Sequence, residues 1–315
     1  MRSGHAWSSS MADHQALPDD GRGTTVTVGT FDGVHLGHRQ VLLEIAERAR
    51  RAARRSLLVT FDPHPLEIVN PPAAPHLITT PSERAEYLAQ CELDIVVFMQ
   101  FTRALSQYPP ASFVQMLYER FQMRELVIGH DHGFGRGRAG DVRLLRDLGV
   151  RMGFDVDVVD EVGVDGRPVS STLVRRAIAG GDLRTAARQL GRPYALSAQV
   201  VRGAERGRRL GYPTINLAPP DPRKLLPPDG VYAVQVEWGS GRVGGMMHQG
   251  PRPTFDDAAR SLEVHVLDGA AAEYGAQVKV SWISRLRDVK RFPSADALKR
   301  QLDKDFAAAR AALTG

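Results

Sequence analysis

The chain has 315 residues, enough for two cores, and 41 Lys and Arg against 36 Asp and Glu give a formal net charge of +5. Hydrophobic residues at 43% support a packed interior, while 30 Gly and 20 Pro stay below a disordered or fibrous composition. One cysteine, Cys91, excludes an internal disulfide framework and a cysteine-based zinc cage, which fits a reducing, cytoplasmic compartment.

Residues 1–23 are polar, lack the apolar run of a signal peptide, and are expected to form a disordered leader, with Met11 as an alternative start to Met1. No apolar run approaches the roughly 18 residues of a membrane helix. From Thr24 to about Leu190, short apolar strands alternate with helices. Strands are expected at Thr24–Thr30, Ser56–Phe61, Asp94–Met99, Glu125–Gly129 and Phe154–Val162. Helices are expected from about His38 to Ala53, Pro81 to Gln90, Ser112 to Phe121 and Asp141 to Met152. This alternation predicts an α/β domain with a parallel sheet covered on both faces. Ligands in such sheets bind beyond the carboxyl ends of the strands. Arg48, Arg50, Arg51, Arg54 and Arg55 fall on the first predicted helix and read as a solvated face, so neither a nucleic-acid nor a membrane partner is expected.

After Leu190, Gly and Pro punctuate short strand candidates at Ala195–Val201, Val231–Trp238, Val243–His248, Leu262–Leu267 and Gln277–Ile283. They predict a small antiparallel β-barrel or sandwich, closed by a helix over Ser294–Ala312 with Ser294 as its N-cap. Two domains of different class, 24–190 and 191–315, are expected.

The first strand runs into Gly29-Thr30-Phe31-Asp32-Gly33-Val34-His35-Leu36-Gly37-His38 and then a helix. A glycine-containing loop at a helix N-terminus favours phosphate, and two imidazoles there can donate to a phosphate that gains charge under attack. The alternatives are a metal-binding pair or histidines that only cap the helix; no third ligand cluster completes a metal site. Two further segments reach the same sheet edge, Asp62-Pro63-His64-Pro65 and Gly129-His130-Asp131-His132-Gly133-Phe134-Gly135. Ser170-Ser171-Thr172 with Arg175 one turn on makes a possible phosphate cradle, although alone it reads as an ordinary N-cap with a surface arginine. Gly135-x-Gly137-x-x-Gly140 matches the dinucleotide fingerprint only formally, since it neither directly follows a strand nor opens a first βαβ unit. No Walker A pattern is present.

In the second half, glycines and arginines from Gly203 through Gly207 and Arg208 to Gly211 suit phosphates, and the oxygens of Thr214 and Asn216 are fitting Mg²⁺ ligands. Glu263 shares a strand face with His265 and could serve as a general base. Taken alone, it reads better as an outward-facing polar residue.

Together, GTFDGVHLGH, TFDPHP, GHDHGFGRGRAGD and VSSTLVRRAIAGGDLRTAARQLGRPY, then GYPTINL, GVYAV, GPRPTF, SLEVHVLD, EYG, LRDVKRF and LKRQLDKD, resemble the bacterial bifunctional riboflavin kinase/FMN adenylyltransferase (FAD synthetase) family. The resemblance runs from about Thr24 to Phe306. It implies an N-terminal nucleotidyltransferase of the His-x-Gly-His type and a C-terminal riboflavin kinase barrel. ATP would lie over His35 and His38, contacted by Gly29, Thr30, Phe31 and Asp131, with pyrophosphate held by Ser171, Thr172 and Arg175. Asp62, His64, Pro65 and Arg287 would meet flavin. In the kinase half, Gly203, Gly207 and Arg208 would meet ATP phosphates, Thr214 and Asn216 would bind Mg²⁺, and Glu263 would activate the ribityl hydroxyl of riboflavin. The chain departs from the family pattern at His132, Gly133, Leu173, Ile215 and His248. Those departures motivate two other readings: a paralogue with one active half or altered flavin or nucleotide preference, and a flavin-sensing regulator that binds RNA or protein.

Overall fold

The inner strands of the first half, at Thr24–Val28, Arg55–Asp62 and Met123–Gly129, are buried on both faces, as a covered parallel sheet requires. The structure, a computed structural model, describes residues 16–17, 20–129, 142–159, 163–164, 166–203, 211–218, 220–252, 257–268 and 272–314. The chain divides into two compact units, Met1–Ser170 and Ser171–Gly315.

The first unit holds a five-stranded parallel sheet of β1 (Thr24–Val28), β2 (Arg55–Asp62), β3 (Ile95–Gln100), β4 (Met123–Gly129) and β5 (Asp155–Val159), in the order β3-β2-β1-β4-β5. Strand order reverses between β1 and β4, and such a switch point opens a crevice at the carboxyl ends. Its helices are α1 (Leu36–Arg51), α2 (Pro65–Val69), α3 (Pro81–Leu88), α4 (Arg103–Ser106), α5 (Pro110–Phe121) and α6 (Val142–Met152). Alternate strand residues serve different layers. Val26, Val28, Leu57, Val59 and Phe61 pack with Phe113, Leu117 and Leu145, whereas Leu58 and Val127 pack with Leu42, Ile45, Tyr87 and Leu88. A two-stranded hairpin of β6 (Gly163–Val164) and β7 (Arg167–Pro168) follows.

The arginine cluster is not one helical face. α1 ends at Arg51, Ala53 adopts φ 52°, and Arg55 already belongs to β2. Arg48 bridges Glu44, Glu125 and Asp157, Arg54 reaches Glu125 at 3.3 Å, and Arg55 is only 8% exposed. The expectation of a solvated face holds for Arg50 and Arg51, which are exposed, and fails for Arg48, Arg54 and Arg55, because the helix stops too early and β4 and β5 present carboxylates beside it.

The second unit begins with α7 (Ser171–Ala179) and α8 (Leu183–Leu190), followed by β8 (Tyr194–Val201), β9 (Ile215–Leu217), β10 (Gly230–Trp238), β11 (Gly241–Arg252), β12 (Asp257–Val266) and β13 (Gln277–Arg287). These six strands close a barrel in the order β10-β11-β12-β9-β8-β13. The unit division falls upstream of the change in composition near residue 190 because α8 packs on β8 and β13. The closing helix α9 (Ala295–Thr314) is capped as expected: Ser294 Oγ accepts from Ala297 N at 3.2 Å. β9 lay inside a segment read from sequence only as a motif. It is short but completes the cylinder.

Candidate active sites

The first candidate site lies where β1 turns into α1. His35 is the N-cap of α1, its Nδ1 accepting from His38 N at 3.2 Å, so in the neutral ring the proton sits on Nε2. The rings of His35 and His38 stack, and Phe31 lies 4.6 Å from His38 centroid to centroid. Gly37 permits this packing: a Cβ there would stand 3.2 Å from His35 Nδ1. One histidine therefore does cap the helix, and the same contact brings the pair together.

The loop itself is strained and pinned. Phe31 (φ 46°) and Val34 (φ 39°) occupy left-handed backbone, which costs about 1–3 kcal/mol each for residues with a Cβ. Buried hydrogen bonds hold it. The fully buried Asp32 carboxylate accepts from Ile78 N and Thr79 N, both at 2.9 Å, and from Thr79 Oγ1 at 3.0 Å. Gly33 N donates to Thr79 Oγ1 at 2.9 Å, and Gly29 N to Val59 O at 3.0 Å. Thr30 O accepts from Thr60 Oγ1 at 2.9 Å and from Arg84 Nη1 at 2.8 Å.

β2 ends at Asp62, and His64 caps α2: its Nδ1 accepts from Leu66 N at 3.2 Å while its own N–H donates to Glu67 Oε1 at 3.1 Å. Pro65 is the first residue of that helix. The loops after β1 and β2 thus leave the same end of adjacent parallel strands. Asp131, with His132, Gly133 and the formal dinucleotide fingerprint, lies outside the described residues. Ser171 and Thr172 open α7, and Arg175 follows on the same helix in the second unit.

The second candidate site sits on the barrel where β9 meets β12. Asn216 pairs with Glu263 in register, and His248 of β11 faces Glu263 from the other side. Thr214 Oγ1 donates to Glu263 Oε2 at 3.3 Å, and Ser261 Oγ donates to Glu263 Oε1 at 3.1 Å. Alternation along β9 explains the motif: Ile215 and Leu217 are buried, so Asn216 takes the opposite face. That burial also accounts for the apolar Ile215. Gly203 is required by contact, because a Cβ there would come within 2.2 Å of the Asn216 side chain. Gly207 and Arg208 lie outside the described residues.

Arg287 is held by α9. It forms a forked pair with Asp305, at 3.0 Å from Nε and 2.7 Å from Nη2, and donates from Nη1 to Asp288 O at 2.9 Å. Tyr212 meets Asp303 of the same helix through its hydroxyl and lies edge-on to His265 and Phe306. Burial, then hydrogen bonding to Asp303 and its charge, push the Tyr212 phenol up to about 12. His265 Nδ1 lies 2.8 Å from Pro213 O, directly before Thr214.

Asp32, Arg84 and Tyr212 were not singled out by sequence reasoning. Asp32 carried a signal, a carboxylate in a glycine turn at a strand end. Arg84 carried none, since Pro81–Leu88 is composed like a surface helix.

Comparison with known proteins adds an independent line. Residues 17–173 match the family model described as FAD synthetase, and residues 190–313 match that described as riboflavin kinase. A bifunctional riboflavin kinase/FMN adenylyltransferase of Escherichia coli K12 is 38% identical over 290 residues, spanning 91% of this chain and 92% of its own. One from Pseudomonas fluorescens is 37% identical over 300 residues, 95% of each chain. A solved structure named as a macrolide-efflux protein from Streptococcus pneumoniae aligns with a TM-score of 0.81 at 30% identity, over 91% of this chain and 94% of its own. That name differs from those of the curated relatives, and the motifs of both sites side with the relatives. No described helix is long and apolar enough to cross a membrane.

Proposed function

The chain belongs to the bifunctional riboflavin kinase/FMN adenylyltransferase family, and from that premise we propose that it converts riboflavin and ATP to FMN, then FMN and ATP to FAD and pyrophosphate. The observation that carries this reading is that one chain keeps both constellations: His35 stacked on His38, and Glu263 bonded by Thr214 beside Asn216.

In the kinase half, Glu263 takes the proton from the ribityl hydroxyl as its oxygen attacks the γ-phosphorus of ATP. Thr214 and Ser261 each donate to one carboxylate oxygen, which fixes the base without neutralising it. The donor set suits Mg²⁺: Thr214 and Asn216 supply neutral hard oxygens, and Thr214 spends its proton on Glu263, so its lone pairs stay available. When bound, Mg²⁺ would neutralise charge on the ATP phosphates. Among the described residues, no group of three His, Cys, Asp or Glu forms a closed metal cage. Gly203, Gly207 and Arg208 are assigned to the phosphates, and Arg287 to the flavin.

In the adenylyltransferase half, a phosphate oxygen of FMN attacks the α-phosphorus of ATP, a new P–O bond forms, and the α–β bond breaks to release pyrophosphate. No covalent enzyme intermediate is needed. Alignment and charge stabilisation supply the catalysis. His35 and His38 donate to the phosphate oxygens, Gly29, Thr30 and Phe31 shape the nucleotide loop, and Asp62, His64 and Pro65 form the flavin loop. Asp131 for the nucleotide, and Ser171, Thr172 and Arg175 for pyrophosphate, rest on the family relation alone. The lone cysteine favours a cytoplasmic location.

The test is chromatography of products from purified protein with riboflavin, ATP and Mg²⁺, repeated with CTP. FMN followed by FAD is expected. FMN without FAD would mean an impaired N-terminal half, and no flavin product at all would sink the enzyme reading.

A further inference from the structure

Arg84 sits on α3 among residues composed for solvent, yet it is only 3% exposed. Its guanidinium packs 5.2 Å from the centroid of the Phe98 ring and donates in two directions, Nη1 to Thr30 O at 2.8 Å and Nη2 to Phe61 O at 2.7 Å. Burying a cation is costly unless its donors are used, and both bonds go to backbone at the carboxyl ends of neighbouring parallel strands. Thr30 opens the loop that carries Phe31, His35 and His38. Phe61 directly precedes Asp62, His64 and Pro65. The guanidinium is a rigid fork, so the spacing of its two acceptors is set by covalent geometry rather than by a flexible contact.

We propose that Arg84 is a positioning residue for adenylyl transfer, holding the nucleotide loop after β1 against the flavin loop after β2. The proposal deepens the functional reading above and rests on its assignment of those two loops. Each loop also has anchors of its own that do not involve residue 84, Asp32 with Ile78 and Thr79 for the first and His64 with Leu66 and Glu67 for the second. What the fork controls is their separation, and with it the approach of the FMN phosphate to the α-phosphorus. Misplacement on the scale of 1 Å costs up to about 100-fold in rate. The effect therefore belongs in kcat and not in either KM.

Arg84→Lys keeps the charge but replaces the rigid planar fork with a single flexible ammonium, and Arg84→Met keeps the stem and loses both bonds. Each is assayed for FMN adenylylation and, in the same preparation, for riboflavin phosphorylation, which serves as the internal control. For Arg84→Lys we expect kcat of adenylylation to fall about 10-fold or more, with KM for ATP and FMN moving less than about 3-fold and phosphorylation unchanged. Arg84→Met should fall further; if it does not fold, the lysine variant decides alone. Wild-type adenylylation by Arg84→Lys would overturn the proposal, as would matched losses in both activities or a loss confined to KM. His38→Ala separates the two levels. If it still adenylylates FMN, the site reading itself fails; if it does not while Arg84→Lys is unimpaired, only the role of Arg84 fails.

Discussion

The imidazoles of His35 and His38 stack with centroids 3.6 Å apart and planes 16° from parallel. They are joined again through the backbone, because the N–H of His38 donates to the ring of His35. The second histidine is thus aimed by the first.

This separates two effects at His35. His35→Ala removes both the cap and the stack and should cost about 1 kcal/mol of stability together with adenylylation. His35→Asn restores a cap acceptor, so stability should return to within about 0.5 kcal/mol while adenylylation stays low. Thermal unfolding and FAD formation on the same samples check this. Full activity in His35→Asn would reduce the imidazole to a cap.

Glu263→Gln preserves the shape of the barrel site and removes its proposed base. FMN formation should fall by about 100-fold or more, as for loss of a general base, while supplied FMN is still converted to FAD. Thr214→Val removes one of the bonds that hold Glu263 and leaves that from Ser261, and it should raise the Mg²⁺ concentration needed for half-maximal phosphorylation. Unchanged Mg²⁺ dependence would remove Thr214 from the metal assignment.

The Tyr212–Asp303 bond carries a pH signature. Burial and the neighbouring carboxylate raise the phenol above its unfolded value, to about 12, so its stabilising contribution is complete below about pH 10 and is lost as pH rises through 12. Tyr212→Phe keeps the ring contacts and deletes only this contribution. The stability gap between wild type and variant should stay flat to about pH 10 and then narrow. A gap that persists at pH 12 would contradict the hydrogen bond as its source.

Arg48 gives the opposite case. Partial burial works against ionisation of Asp157, but the Val158 N–H and the Arg48 guanidinium outweigh it and hold the carboxyl below its ordinary value. Its contribution is present above about pH 4 and lost as pH falls further. Arg48→Met should destabilise the protein by about 1–2 kcal/mol at neutral pH, between the values for exposed and buried pairs, and by less in acid. Urea titrations at pH 7 and pH 3 measure both.

Much of this molecule is legible in one dimension wherever pattern is local. Strands β2, β3 and β4 announce themselves as apolar runs, β1 and β5 by their valines, and Ser294 caps its helix as its position suggests. The histidine motif is likewise visible, because its parts are three residues apart. What escaped depends on distant partners. Arg55 looks like its neighbours until Gln122 and Asp20 are seen beside it, and Arg84 looks solvated until β1 and β2 end against it. Glu263 reads as a surface residue on its own strand. Its candidacy as a base emerges only when Thr214, 49 positions away, is brought within 3.3 Å.

Closure of the barrel has a practical consequence. Each of its strands has two neighbours, so none of the described barrel strands stands at the end of a sheet, where another chain could add along its whole length. The parallel sheet does have two ends. β5 guards one with Asp155 and Asp157, whereas β3, reading IVVFMQ, has no charged residue at the other. Aggregation in concentrated solution should therefore start in the adenylyltransferase half, and a lysine at an outward position of β3 is the change to try first when the protein must be stored or crystallised.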